Sequence, residues 1–588
     1  MRTGNLPLTP ALRRSLFLLL VPLLLLAGCS CGHDPASSAP SHPDSDVTAS
    51  QYRGELLSYA LDNLNRLEEF DSAEAVAQIF ERLSSRGSTK PDSDTLLAAW
   101  PEPEMLHQII DRLNQWVRTQ TPPASWKAEP MLAALPKSFA ALPAVKELDR
   151  MEFSRFDGYA LQEAVWFRDC TRWGQGESAE SLERAKSLFD WTIRNIQLEA
   201  APPRQTPQFP WETLLFGRGT AADRAWVFIL LCRQAGIEAA ILGLEPAAGG
   251  KPPTKAAAVT PGKGAKPASL PGLAPEGPRP WCVAVLVEGN AYLFDPLLGL
   301  PIPAPDGVKF DEAGRLVVQP ATLAQAAADE KVLRQLDVGK TYIYGVKAAD
   351  VKRVVVMLEA SPAYLARRMK LLEGQLAGEQ KMVISISPSA EAGRWKALAQ
   401  VAEVRLWPAP FETLERRSHL DRQSVQAQLA LLVPFYGLSS APLRRGRILY
   451  LKGKFVGDGG AIHYYQLARP SNAELSASSA DPMEKMVFFR GKQDASYWSG
   501  LIAYQRANYP TAIDYFARRT LELMPDSPWT EGARYNLART FEAAGDTERA
   551  ILMYASSAGS RGYPGALLRA EWLKRKPAKR NAESPGAK

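Results

Sequence analysis

A strongly apolar helix with a well-marked start is the feature that most constrains the fold of this chain. Residues 221–235 are mostly apolar. Thr220 is suited to cap the start of this helix, with Asp223 three residues on as its reciprocal partner. A strand-like run at 237–244 follows directly, and two more lie at 281–287 and 291–294. A helix this apolar has to be buried, so we expect it to pack against a sheet made of those strands.

Four short segments in this region follow one another in a recognisable order. They are residues 188–196, 217–225, 231–239 and 294–296. In order and spacing they resemble the transglutaminase-like superfamily, and the resemblance extends over residues 185–300. It implies a papain-type α+β domain that needs no cofactor. In active members it also implies a Cys–His–Asp triad whose cysteine starts a helix, where the helix N-terminus lowers the thiol pKa.

The resemblance places the triad on residues that cannot complete it. Ala221 stands where the cysteine nucleophile is expected, two residues after Gly219. The histidine should open the strand that begins at Trp281, yet no histidine lies between His107 and His419. Asp295 alone remains at its expected position, and an aspartate without an imidazole to orient has no catalytic duty. The resemblance therefore predicts a transglutaminase-like protein without catalysis.

The alternative is an enzyme, a cysteine peptidase or an acyl transferase with a displaced nucleophile. Cys232 and Cys282 have apolar neighbours in sequence, so we expect both thiols to be buried and inert. Cys170 has arginines on both sides, which would favour a thiolate. The feature that separates the two hypotheses is a cysteine and a histidine within about 4 Å of each other in a cleft. A third hypothesis is a binding module. It would bind a sugar or a peptidoglycan peptide in the cleft where active family members hold their catalytic triad.

The N-terminus has the features of a bacterial lipoprotein signal. Arg13 and Arg14 precede an apolar stretch that is interrupted by Pro22 and too short to span a membrane comfortably. The stretch ends in Leu-Ala-Gly before Cys29, which resembles a lipobox. We therefore predict a signal peptide at 1–28, a lipid on Cys29 and a flexible tether at 29–51. Serine rather than aspartate follows Cys29, which favours the outer membrane of the cell envelope.

The remaining organisation is read from periodicity and composition. The predicted class is α+β with several domains, because the chain is too long for one core. They are a helical region (52–165), the transglutaminase-type domain (166–310) with a disordered insertion (246–279), and a mixed α/β region of no recognised family (330–480). In that last region we predict strands at 354–358, 382–386 and 447–451, and helices at 362–376 and 422–432.

The C-terminal part repeats with an offset of 38 residues. Gly500, Ala512 and Phe516 recur as Ala538, Ala550 and Tyr554. A small residue where two helices touch, followed by alanine and an aromatic residue on the second helix, resembles tetratricopeptide repeats. We predict such repeats over 495–575 and a disordered basic tail over 576–588.

Charge excludes one class of partner. The formal net charge is +7, and three arginines leave with the signal peptide, so the mature chain carries +4. This is too little to indicate nucleic-acid binding. The sequence thus favours a membrane-anchored binding or scaffolding protein that uses its C-terminal repeats to bind a protein partner.

Overall fold

The computed structural model describes residues 44–70, 72–84, 95–122, 126–199, 206–245, 277–436, 441–477 and 482–576. From Tyr52 onward the chain forms one compact unit. The predicted signal peptide, Cys29, most of the predicted insertion and nearly all of the basic tail lie outside the described residues. None of the described helices is long and apolar enough to cross a bilayer.

The N-terminal region is helical, as predicted. Its helices are α1 (Asp44–Leu64), α2 (Ser72–Ser84), α3 (Glu104–Arg118), α4 (Lys137–Ala140), α5 (Pro143–Lys146) and α6 (Arg155–Gly174). Helix α1 begins inside the range predicted to be a flexible tether, so residues 44–51 are helical instead. The apolar face of α3 is buried through Ile109, Leu113 and Trp116, as its three- and four-residue spacing indicates. His107 lies outside this buried face: it is exposed, and its imidazole is 3.5 Å from the Asp111 carboxylate.

The central domain places helices around a sheet. Its first elements are α7 (Ser181–Asn195), β1 (Gln197–Leu198), α8 (Pro210–Phe216), β2 (Arg218–Gly219), α9 (Ala221–Gln234), β3 (Glu238–Leu244), β4 (Arg279–Val287), β5 (Asn290–Asp295), β6 (Leu300–Pro301), β7 (Pro303–Phe310) and β8 (Leu316–Pro320). The first strand-like runs of the sequence become β3, β4 and β5, which pair in antiparallel fashion. Helix α9 is buried through Trp226, Phe228 and Leu230, as expected for its composition.

The sheet continues across the predicted domain boundary. The next elements are α10 (Leu323–Ala328), α11 (Glu330–Arg334), β9 (Val354–Leu358), α12 (Pro362–Leu365), α13 (Arg367–Glu373), α14 (Pro388–Lys396), β10 (Val401–Leu406), α15 (Ala409–Ser418), α16 (Arg422–Tyr436), α17 (Pro442–Leu451), α18 (Ala461–Leu467) and α19 (Asn472–Ala477). The strand order is β10-β9-β3-β4-β5-β6. Because β9 pairs with β3, the 330–480 region completes the central sheet instead of forming a separate body.

Three predicted elements of this region differ from the structure. Residues 447–451 were predicted as a strand but form the end of helix α17, which is buried along its length. Residues 382–386 are irregular rather than a strand. The helix predicted at 362–376 is divided between α12 and α13, because Ala366 is extended between them. The predicted strand at 354–358 and the helix from 422 are confirmed as β9 and α16.

The C-terminal part consists of paired helices. They are α20 (Pro482–Gln505), α21 (Tyr509–Ile513) continued by a π-helical segment (Asp514–Glu522), α22 (Thr530–Ala543), α23 (Thr547–Ala555) and α24 (Tyr563–Lys574). Gly500 lies in the predicted close contact: a Cβ atom there would be 2.6 Å from the Phe516 ring. Ala512, Ala538 and Ala550 are fully buried. Membership of the tetratricopeptide family stays a prediction.

Candidate functional site

The start of α9 has the local geometry that its sequence predicts. Thr220 caps the helix: its backbone N–H donates to the Asp223 carboxylate at 2.7 Å, and the Asp223 N–H donates to the Thr220 hydroxyl at 3.2 Å. Gly219 is required here, because a Cβ atom would lie 2.8 Å from that of Asp223. Burial raises the pKa of Asp223 to about 6, against the hydrogen bonds from Thr220. A backbone turn and a helix N-terminus therefore meet at Ala221.

Ala221 lies in a small apolar cluster. Its side chain is 2% exposed and packs with Leu198 of β1 and Leu297, just after β5. The backbone N–H of Leu297 donates to the Asp295 carboxylate at 2.9 Å, so the structure brings the two predicted positions, Ala221 and Asp295, into one place. A methyl group among leucines supplies neither a nucleophile nor a proton acceptor.

Asp295 is buried and bound on both oxygens. One oxygen accepts from the backbone N–H groups of Leu297 and Leu298, at 2.9 and 3.0 Å. The other accepts from the Tyr344 hydroxyl at 2.8 Å. Burial raises the pKa of Asp295, while these hydrogen bonds favour its ionised form. The carboxylate thus acts as a structural acceptor that fixes the turn after β5.

Trp281 stands at the position where the family resemblance places the histidine, and it takes part in the same network. Its indole N–H donates to the Tyr344 hydroxyl at 2.7 Å, and that hydroxyl donates to Asp295. A tyrosine therefore joins Trp281 to Asp295. Sequence reasoning missed Tyr344, because it lies 49 residues from Asp295 and belongs to no motif. We refer to Ala221, Trp281, Asp295 and Tyr344 together as the predicted triad site.

The three described cysteines are buried and free. Burial raises the pKa of the thiols of Cys170, Cys232 and Cys282. The Cys170 thiol donates to the Leu451 carbonyl oxygen at 3.2 Å. The arginines beside it pair instead with Asp169, at 2.7 Å for Arg168. Each of these thiols is therefore held neutral, away from a nucleophilic state.

The described histidines do not provide a base for those thiols. His107, His419 and His463 are all exposed, whereas the described cysteines are fully buried. Within the described ranges, no hydrogen bond joins a cysteine to a histidine, and no cluster of three or more His, Cys, Asp or Glu is arranged to hold a metal ion.

C-terminal helices cover the predicted triad site. The Gln197 amide of β1 donates to the Pro528 carbonyl at 2.7 Å and accepts from the Gly532 N–H at 2.8 Å. A Cβ atom on Gly217 would lie 3.2 and 3.3 Å from the rings of Trp498 and Trp529. A Cβ atom on Gly565 of α24 would overlap the carbonyl oxygen of Leu298, in the turn after β5. These contacts pack α22 and α24 against β1 and the turn after β5, which border the predicted triad site.

A cluster of charged residues links the C-terminal helices, which we call the cover, to the central domain. Asp190 of α7 accepts from Arg194 at 2.7 Å and from Arg539 of α22 at 2.6 Å. Burial opposes ionisation of Asp190, but the two guanidinium groups outweigh it and hold its pKa below the ordinary value. The carbonyl oxygen of Arg194 also accepts from Asn536 at 3.1 Å. The C-terminal helices thus use part of their surface within the chain itself.

Comparison with known proteins agrees with the local geometry. No curated protein and no solved structure matches the chain. The family model for the transglutaminase-like superfamily matches residues 169–251, from α6 to just beyond β3. The match contains Thr220, Ala221 and Asp223 and ends before Trp281 and Asp295. The chain therefore contains a transglutaminase-like domain at residues 169–251, which includes helix α9 and strand β3.

Proposed function

We propose that this protein is a lipid-anchored, non-catalytic transglutaminase-like protein that serves as a binding or scaffolding module in the cell envelope. The observation that carries the proposal is the environment of Ala221. An alanine stands at the start of α9, packed between Leu198 and Leu297, where the family's thiolate would need an exposed and polar setting.

The network beside it supports the same reading. Asp295 accepts hydrogen bonds from three donors. Trp281 stands where the family has its histidine, and its indole N–H is linked to Asp295 through the Tyr344 hydroxyl. A general base typically supplies about 10²–10⁴-fold of the rate, and a missing nucleophile removes the covalent route altogether. The domain has a structural reason to persist, because Trp226, Phe228 and Leu230 of α9 build the central core.

Partner binding would use surfaces that the internal interface leaves free. Helix α22 contacts β1 and α7 through Gly532, Asn536 and Arg539, so this face of the C-terminal helices is not available to a partner. The proposed protein partner would therefore dock on another face of these helices.

Anchoring is tested by changing either of two neighbouring cysteines. Cys29→Ser should leave the precursor unprocessed and without lipid, so that detergent phase partition, radiolabelled fatty-acid incorporation and the N-terminal mass all change. Cys31→Ser is the matched control and should behave as the natural chain. A Cys29→Ser protein that is processed, lipidated and partitioned as before would contradict the anchor.

A further inference from the structure

A concave region lies beside helix α8, and its lining contains none of the four residues of the predicted triad site. It is a cavity of about 600 Å³ between α8, the residues just before it, and α16. This volume falls within the range of roughly 300–1,000 Å³ that is usual for small-molecule sites. Its side chains are rich in amides and hydroxyls, and the ones used below are Gln208, Glu212, Phe216, Gln423, Ser424 and Gln428. We call it the amide cavity.

The floor of the amide cavity is fixed and electrically neutral. Glu212 pairs with the buried guanidinium of Arg417 at 3.0 Å. The same carboxylate accepts from the Trp100 indole N–H at 2.8 Å and from the Phe209 backbone N–H at 2.7 Å. Because its lone pairs are already engaged, Glu212 shapes the floor without attracting a cation strongly.

Gln428 is the unusual group in the wall. Its residue is only 8% exposed, and its amide oxygen has no hydrogen-bond partner although that atom is buried. A buried acceptor without a donor is costly, so such groups in native proteins call for an explanation. Ser424 lies one helical turn before Gln428, and Leu431 lies almost one turn after it, so the three share one face of α16. This face lines the cavity.

The charge of the wall selects against anions. Within the described part of the lining there is no lysine, arginine or histidine. The exposed carboxylate at the rim, Asp421, accepts from the backbone N–H of Ser424 at 2.7 Å, and this bond lowers its pKa. Asp421 therefore remains ionised at neutral pH and would repel a phosphate or carboxylate ligand.

The remaining groups suit a ligand that donates and accepts hydrogen bonds at closely spaced points. Amides and hydroxyls both donate and accept, as do the hydroxyls of a sugar. Phe216 and Leu431 offer apolar contact for the C–H face of a ring. A peptide is less suitable, because the lining contains neither a strand edge nor a continuous apolar groove in its described part.

We propose that the amide cavity binds a short uncharged saccharide, and that the Gln428 side-chain amide turns on binding so that its buried oxygen accepts a hydrogen bond from a sugar hydroxyl. Gln423 and Ser424 provide further polar contacts at the opening. This site is separate from the predicted triad site, so its occupancy does not depend on whether that site is catalytic.

Titration of the full chain with chitobiose, cellobiose and maltose tests the proposal. The protein should be held in a detergent without a sugar headgroup, and binding read by calorimetry and by saturation-transfer NMR. At least one disaccharide should bind, and Gln428→Met should weaken it by about five- to tenfold through the lost hydrogen bond. The matched control is Gln466→Met, the same change at an exposed position of α18, which should bind as the natural chain does.

A second variant guards against misfolding. Gln423→Met changes an exposed lining residue and should also weaken binding while leaving the melting temperature unchanged. Tetra-alanine and a uronate-containing disaccharide should bind more weakly than the neutral sugar. The proposal is overturned if none of the neutral disaccharides binds at millimolar concentration, if Gln428→Met and Gln423→Met bind with unchanged affinity, or if tetra-alanine is the better ligand.

Discussion

The predicted triad site and the amide cavity treat their polar groups in opposite ways. At the predicted triad site, Asp295 accepts three hydrogen bonds, and helices α22 and α24 pack over the strands around it. In the amide cavity, Gln428 is nearly as buried, but its amide oxygen has no hydrogen-bond partner. Polar groups that are fully paired within the protein stabilise it, whereas an unpaired one is free to recognise a ligand.

The difference follows from what covers each place. Glycine at 532 lets α22 approach the Gln197 side chain of β1, and glycine at 565 lets α24 approach the backbone of Leu298 in the turn after β5. Similarity to the family would thus place a ligand at the predicted triad site, whereas the unpaired hydrogen-bonding groups would place one in the amide cavity. The predictions below test this contrast.

The largest effect is expected at Asp295. Asp295→Ala leaves the Leu297 and Leu298 N–H groups and the Tyr344 hydroxyl without their acceptor, which should lower the free energy of unfolding by about 3–5 kcal/mol. Asp295→Asn keeps an acceptor and should cost much less. Chemical denaturation of both variants measures the difference.

Asp149→Ala is the control, because Asp149 is exposed and should change stability by no more than about 0.5 kcal/mol. If Asp295→Ala were equally silent, Asp295 would not be the structural acceptor described above.

The next effect concerns the cover. Gly565→Ala adds a methyl group that overlaps the Leu298 carbonyl, so we expect α24 to be displaced at a cost of about 3 kcal/mol. Gly393→Ala is the same change in helix α14, where a Cβ atom meets open space, and it should stabilise by about 0.5–1 kcal/mol. Thermal unfolding should separate the two by sign. Two stabilising substitutions would mean that α24 does not press on the turn after Asp295.

Acid should loosen the cover by a smaller amount. Arg539 and Arg194 hold the pKa of Asp190 below its unfolded value despite burial, so this group stabilises the fold above the unfolded pKa of about 4. That contribution is lost progressively as the pH falls below about 4. Arg539→Met should flatten the part of the pH–stability curve that comes from this pair. An unchanged pH–stability curve in the variant would show that the pairing of Asp190 with Arg539 does not contribute to the loss of stability in acid.

The smallest effect has the opposite sign. Without a ligand, Gln428→Met replaces an unpaired buried acceptor by an apolar group of similar size, so it should be neutral or stabilise by about 0.5 kcal/mol. Differential scanning calorimetry of the unliganded chain measures this change. A loss above about 1 kcal/mol would show that the amide oxygen already has a partner in the folded protein.

Local signals were the ones that the sequence could predict. The cap formed by Thr220 and Asp223 depends on residues three apart, and the pattern after it leads directly into β3. Tyr344 could not be found, because its link to Asp295 exists only after the chain has returned to the sheet.

Buried elements were harder to assign. Residues 447–451 are apolar on most sides whether they form a strand or a helix, so their pattern does not separate the two. In the fold they end a buried helix that packs through Gly446 against Tyr465 of α18. The pairing of β9 with β3 joins residues more than 100 positions apart. No short-range pattern could show that the two regions share one sheet.

Turnover by the natural chain is the most direct test of the central claim that the predicted triad site is not catalytic. The full protein is incubated with a glutamine-containing peptide and a fluorescent amine, and both amine incorporation and peptide hydrolysis are followed, with and without prior alkylation by iodoacetamide. We predict no product in either condition, and none from Ala221→Cys alone, because the imidazole is still missing. Turnover in the natural protein that disappears after alkylation would contradict the account and establish a cysteine-dependent enzyme.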